Sequence, residues 1–547
     1  MAHSDPSLAL LADVVRGRCS RRDLIARAAA IGLGTSAVAT LVGAMDRRDA
    51  AAQDGTPATE PTGTVNWAIE SDPINLIPFG ATAGSNMWGK EFMYDSLLAW
   101  DKDLNIIPAL AESYEAAPDA TSYTFKLRQG VKFHDGRDMT AADVKYSFET
   151  AYNPPEPGVQ YPFLANIGSI DIIDDYTVKF TMSKADPTIP GVIAWTRYTP
   201  IVPKDSAAEL GNWLSQGIGT GPFKLVEFTP NDSVVYTAFA DHWNPGVPCI
   251  KDLTLKVLPD EQSRVAALRA GEIDGATISA DVQVTLQNDD ELEVLSGLIA
   301  APRVMQISTA TAGTPWTDTR VRQAINKVVD RQLIIDNVYG GEAQMTGAIA
   351  PGYGDWPLTP DELAELYAVD VDAAKALMSD AGHADGFSVT LQAISAPRDY
   401  TQIAEIIREQ VAQLNIKVEV QPLEIGQFAK NIGDGTYEWA STGRGMRGDP
   451  SGFVVDFRSG TASNLKWFGD GWKSDELDAL YDEGLSTTDN ARRHEIYKRI
   501  QEIIAQEAAH IYTVQPKKFQ VVNKRVSGMY VAYTDFNPGL RQVCVTG

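Results

Sequence analysis

The chain has 547 residues, a net charge of −25, and 44% hydrophobic and 9% aromatic residues. That length exceeds one ordinary core, so two or more domains are expected, and the apolar share excludes a disordered chain. So acidic a surface repels nucleic acid and anionic membranes. The three cysteines and six histidines show no metal-ligand spacing, so no metal or cofactor is expected.

In chain order, SRRDLIA (20–26) leads into an apolar, Ala/Gly-rich run, AAAIGLGTSAVATLVGAM (28–45), and then Ala50-Ala51-Ala52 before Gln53. Residues 1–52 thus read as an export signal, and Arg21-Arg22 ahead of a weakly hydrophobic run resembles the twin-arginine type. No cysteine follows the run, so a lipid anchor is not expected. Residues 53–63 read as a flexible spacer. The mature protein is expected to be soluble and periplasmic or otherwise extracytoplasmic.

TVNWAIE (64–70) and YTFKLR (123–128) alternate as strands do, and VKF (131–133) is expected to pair back on the second. TAADVKYSFETAY (140–152) predicts a helix capped by Thr140 with Asp143 three residues on. DDYTVKFTM (174–182) predicts a strand after an Asp-Asp turn. FKLVEFTPNDSVVYTAF (223–239) predicts a hairpin, KDLTLKVL (251–258) a strand, and EQSRVAALRAGEID (261–274) a helix stopped at Gly271. Helical spacing then runs through 318–340, 370–382, 400–416 and 489–510, with a strand at 417–423. Strands and helices mix throughout, which predicts α/β domains with mixed sheets.

Several segments resemble one family when taken together in order. They are LAESYE (110–115), YTFKLRQGVKFHDG and MTAADVKYSFE (123–149), GTGPFKL (219–225), RVAALRAGEIDGA (264–276), DTRVRQAINKVVDR (318–331), AKALMSDAGHADGF (374–387) and GDP (448–450). The chain resembles the extracellular solute-binding proteins of family 5, the receptors of peptide/nickel-type ABC transporters. The resemblance implies a two-lobed periplasmic-binding-protein fold with an extra subdomain. Lobe I would comprise 64–305 plus 513–547, with the subdomain at about 100–200, and lobe II 306–512. It also implies a solute partner, a membrane permease partner, a monomer and no catalysis.

His134, Asp135, Arg137 and Asp138 fall within five residues and look chemical. Asp135-Gly136 is nevertheless a turn dipeptide, and Asp138 precedes a helix cap where negative charge suits the dipole. The stretch therefore reads as architecture. No GxSxG and no phosphate loop is present, so no catalytic residue is assigned.

By position in the family, FGATAGSN (79–86) is the first pocket loop, offering Thr82, Gly84 and Ser85, with Trp88 beside it. WASTGRGMRGDP (439–450) is the second, offering Trp439, Arg444 and Met446. Dipeptide binders place an ammonium-binding aspartate where Met446 stands, and methionine cannot replace it. Their carboxylate-binding arginine aligns with Thr401 and Gln402, with Arg398 offset nearby. Both dipeptide anchors are altered. An oligopeptide is favoured over an oligosaccharide- or opine-type solute, and a ligand sensor for a signalling partner is the alternative of another class. Cys249 and Cys544 are left to pair or not.

Overall fold

The computed structural model describes residues 60–73, 76–79, 90–153, 164–196, 198–206, 217–395, 397–445, 448–533 and 538–546. Pro61–Trp243 with Val247–Gly547 forms one compact unit, and every element named here lies in it.

Three sheets carry the architecture. The largest is eight-stranded and mixed. Its centre is Thr64–Ile69, parallel to Asp252–Val257 on one side and to Gly275–Ile278 on the other. Val65, Trp67 and Ile69 of the central strand are buried, as a strand covered on its faces requires. The hairpin Phe223–Thr229 and Ser233–Ala238 extends one side, and the long strand Val514–Asn523 extends the other.

The second sheet is five-stranded, in the order Lys417–Leu423, Ser388–Ile394, Trp439–Gly443, Arg303–Ile307, Ile511–Tyr512. The first three strands are parallel, and Arg303–Ile307 runs against Trp439–Gly443. Helices Thr319–Val328, Arg331–Tyr339, Val371–Asp380 and Asp399–Val411 contribute Val321, Ile325, Ile334, Ala374, Ile403 and Ile407 to its core, each at most 2% exposed. Burying each large aliphatic side chain contributes about 1.5–3 kcal/mol.

The third sheet is four-stranded and antiparallel: Ala111–Ala116, Ser122–Leu127, Thr177–Met182, Ile167–Asp174. Helix Ala141–Tyr152 packs on it, started by Thr140 and Asp143 in a capping box.

The chain leaves the eight-stranded sheet for the five-stranded one at 299–302 and returns at Thr513, and between these it visits the first sheet once more with Ala343–Met345, which pairs with Val514–Pro516. Strand Leu292–Leu298 belongs to the eight-stranded sheet and Arg303–Ile307 to the five-stranded one, so 299–302 is the first crossover. Ile511–Tyr512 and Val514–Asn523 reverse the move, with Thr513 alone between them. A disulfide joins Cys249 to Cys544.

Two local expectations need correction. The segment 131–133 does not pair back on the preceding strand: Lys132 bridges to Asp138, and Phe133 N–H donates to Arg137 O at 2.9 Å. The helical spacing over 318–340 breaks at Val329, whose ψ of 101° is extended. Asp330 caps a fresh helix there by accepting from Leu333 N, so the aspartate competes with continuation of the helix.

Candidate functional site

In open α/β sheets, ligands gather at the carboxyl ends of the parallel strands. Here the parallel strands of the five-stranded sheet end at Ile394, Leu423 and Gly443. The same edge holds the start of Arg303–Ile307 and the end of Ile511–Tyr512, so both crossovers meet it. Arg303 ties them together. Its carbonyl accepts Thr513 N–H at 3.0 Å and Thr513 Oγ1–H at 2.9 Å. Its guanidinium donates to Asp399 Oδ2 at 2.7 Å and to Ala301 O at 2.9 Å, beneath the Tyr400 ring. Tyr339 Oη–H donates to the same Asp399 oxygen at 2.7 Å.

Arg444 follows the strand Trp439–Gly443, and its N–H donates to Pro302 O of the first crossover at 3.1 Å. Nη1 donates to Asp456 Oδ2 at 2.5 Å, and the guanidinium lies 4.8 Å from the centre of the Trp467 ring. Burial opposes its charge, but Asp456 and Tyr512 outweigh that and raise its pKa. Nε and Nη2 are buried with no hydrogen-bond partner among the described residues, as is Tyr512 Oη.

Asp449 caps the short helix Pro450–Val454 by accepting from Ser451 N. Both its oxygens accept from Arg493 Nη2 at 2.8 Å. Arg493 sits on the long helix Asn490–Gln506 and also donates to Gly484 O.

A cavity of about 140 Å³ opens between the segment 186–198 and the segment 448–455, lined by Asp186, Thr188, Tyr198, Asp449, Ser451 and Tyr481 among others. Asp186 is satisfied by Thr188 N–H, Thr188 Oγ1–H and Asn166 Nδ2–H. Beside the cavity two glycines meet backbone to backbone. A Cβ on Gly191 would lie 1.9 Å from Gly448 O, and one on Gly448 would lie 2.8 Å from Gly191 O. Only glycine permits that approach.

Of the residues named from sequence, Arg398, Trp439 and Arg444 are among the described ones. Thr82, Gly84, Ser85, Trp88 and Met446 lie outside the described residues. Arg398 is exposed at the start of Asp399–Val411, with its carbonyl accepting from Gln402 N–H and Thr401 Oγ1–H. Trp439 is fully buried, edge-on to Trp316 and Phe387. It is a core residue, which corrects its assignment to a ligand surface. Arg444 does stand at the crossover edge, but its charge is already balanced by Asp456.

The structure adds Arg303, Asp399, Asp449, Arg493, Tyr512 and the Gly191–Gly448 contact. The pairs Asp449–Arg493, Arg303–Asp399, Arg303–Thr513 and Gly191–Gly448 lie 44 to 257 residues apart, and no local spacing announces them.

The HDGRD stretch lies elsewhere. Asp135 accepts from Arg137 N–H and Nε–H, and Lys132 pairs with Asp138. His134 is half-buried against Phe239, with Nε2 2.9 Å from Gly221 O and Nδ1 accepting from Gly219 N–H. Burial pushes its pKa down to about 4, against the opposing pull of the Gly221 and Gly217 carbonyls. It pins the 217–221 loop. Among the described residues no group of three or more His, Cys, Asp or Glu could hold a metal, and no helix is long and apolar enough to cross a membrane.

Comparison with known proteins gives the family and the fold. The glutathione-binding protein GsiB of Escherichia coli K12 is 28% identical over 488 residues, covering 85% of this chain and 91% of GsiB. AgaA of A. tumefaciens R10, solved with agropinic acid, superposes with a TM-score of 0.77 at 27% identity, covering 89% of this chain and 99% of AgaA. DppA of Helicobacter pylori, solved with the peptide STSA, gives 0.77 at 25% identity, covering 89% and 98%. The fold is that of two-lobed periplasmic binding proteins, and these relatives bind solutes rather than transform them. Residues 105–464 match the model for bacterial extracellular solute-binding proteins, family 5, and the chain belongs to that family.

Proposed function

We propose that this chain is the exported receptor of an ABC importer, and that it encloses a short oligopeptide between two closing lobes and delivers it to the permease. One observation carries the reading. The passages between its two large sheets at 299–302 and at Thr513 lie together at the edge where the parallel strands end, and they are hydrogen-bonded to each other through Arg303 and Thr513. Such an edge suits a hinge with the solute beside it. With the crossover at 299–302, the expected boundary at 305 moves a few residues earlier: lobe I then comprises 64–298 with 513–547, and lobe II 303–512. Solute touching both lobes stabilises the closed form, which the permease would recognise.

The peptide class is supported by the kinship to GsiB and DppA. The similarity to AgaA keeps an opine-type solute as the second reading. Export by the twin-arginine route rests on Arg21-Arg22, and the Cys249–Cys544 disulfide suits an oxidising compartment. Of the pocket residues named from sequence, Thr82, Gly84, Ser85, Trp88, Arg398 and Met446 are retained as candidates alongside Arg444.

A thermal-shift screen of the mature protein with glutathione, tri- to pentapeptides, opines, oligosaccharides and nickel chelates tests this. A true solute at 100 times its Kd stabilises by about 2.7 kcal/mol. Peptides alone should reach that. Stabilisation by a sugar or a chelate with none by any peptide would overturn the peptide assignment.

A further inference from the structure

We propose that Arg444 and Tyr512 form an anion-receiving site, filled by a carboxylate of the bound solute. The solute's identity rests on the reading above; the site itself does not. Arg444 spends Nη1 on Asp456. The edge left over carries Nε–H and Nη2–H side by side, the fork that a planar carboxylate accepts with two parallel bonds. Neither donor has a partner among the described residues. Tyr512 is 1% exposed, and its hydroxyl is equally unpartnered. Its phenol and the guanidinium act on each other: burial raises the phenol's pKa and Arg444 draws it back. Three buried hydrogen-bonding groups therefore stand together with no well-formed hydrogen bond to any described residue. A buried donor left unbonded forfeits its hydration, and native proteins leave few of them.

The surrounding charges sum to zero, so free hydrogen-bond donors rather than surplus charge would receive the anion. Asp456 supplies one negative charge against Arg444. His510, also in the neighbourhood, is buried and has its pKa pushed well below the ordinary value, first by desolvation and then by Arg444, so it stays neutral. A second carboxylate on the Nε/Nη2 edge, with Tyr512 Oη–H as third donor, completes the hydrogen bonding. The placement also couples binding to closure. Arg444 N–H holds Pro302 of the first crossover, and Tyr512 directly precedes Thr513, the second. An anion here is held by residues that adjoin both crossovers. It enters when the lobes separate and is enclosed when they meet.

Two measurements test this. Protein stripped of solute by unfolding and refolding is titrated calorimetrically with trialanine and glutathione, each as free acid and as C-terminal amide. The wild type should bind the acid at least about tenfold more tightly than the amide. Arg444→Gln should remove that difference, and Tyr512→Phe, which keeps the ring, should weaken the acid severalfold and leave the amide unchanged. Equal binding of acid and amide, or a difference that survives in Arg444→Gln, would overturn the site. The second measurement needs no solute. Solute-free crystals soaked in sodium bromide should show an anomalous peak within hydrogen-bond distance of Arg444 and Tyr512. A water there and no bromide would contradict the proposal. If neither peptide form binds but the bromide peak is present, the peptide reading falls and the anion site stands. Peptide binding without discrimination and without a peak gives the reverse.

Discussion

Residues 131–143 and 439–449 are both short, glycine-punctuated and rich in charge, yet they solve their polar chemistry in opposite ways. In the first, partners are mostly local. Asp135 serves Arg137, Lys132 serves Asp138, and Asp143 serves Thr140. In the second, partners come from across the chain: Pro302 and Asp456 for Arg444, Tyr400 O for Ser441, Arg493 for Asp449. Local satisfaction makes turns and caps, which stay whole whatever the rest of the molecule does. Long-range satisfaction, left incomplete at Arg444 and Tyr512, makes a place where a solute has something to supply.

The largest effect should come from breaking a long-range pair. Arg493→Met leaves Asp449 buried without its cation, since the two side chains are 6% and 11% exposed. Chemical denaturation should show a loss of about 3–5 kcal/mol. A loss under 1 kcal/mol would mean that the pair is no more than a surface bridge.

His134 has distant partners, as Asp143 does in Lys204 N–H, and its effect should depend on pH. Its folded pKa of about 4 lies below the ordinary 6.5. The unfolded chain therefore takes up a proton between those values that the folded protein refuses. Stability from this group is complete above pH 6.5 and declines as pH falls to 4, by up to about 3 kcal/mol. His134→Gln should flatten that part of the stability profile. An unchanged slope would show that another group causes it.

The glycine contact probes closure without touching charge. A side chain in Gly191→Val meets Gly448 O, so the closed arrangement should be penalised. Affinity for every solute should fall about tenfold or more, with the melting temperature of the solute-free protein little changed. Unaltered affinity would remove this contact from the closing surface. The smallest effect is expected at the exposed turn. Asp135→Asn should cost less than about 0.5 kcal/mol, and a larger loss would break the contrast between the two stretches.

Much of the fold was legible because its signals are local. Thr140 and Asp143 cap their helix as their spacing implies, and the Phe223–Ala238 hairpin turns where Pro230, Asn231 and Asp232 place it. The break at Val329 was hidden because Val328 and Val329 continue the apolar stripe while Asp330 quietly offers a cap. Trp439 misled because an aromatic beside a glycine-rich loop serves a pocket or a core equally well. Only the rings of Trp316 and Phe387 against it decide. Arg444 was found by its position in the family pattern, but Tyr512, 68 residues on in the numbering, is brought beside it only by sheet pairing at the crossover.

The central claim is that solute recognition resides in 439–449 and its distant partners, while the HDGRD stretch is scaffold. The most direct test is one calorimetric comparison of glutathione binding to the wild type, Asp135→Asn and Arg444→Gln. The account predicts that Asp135→Asn binds as the wild type does and that Arg444→Gln binds at least about tenfold more weakly. Equal losses in the two variants, or a loss in Asp135→Asn alone, would contradict it.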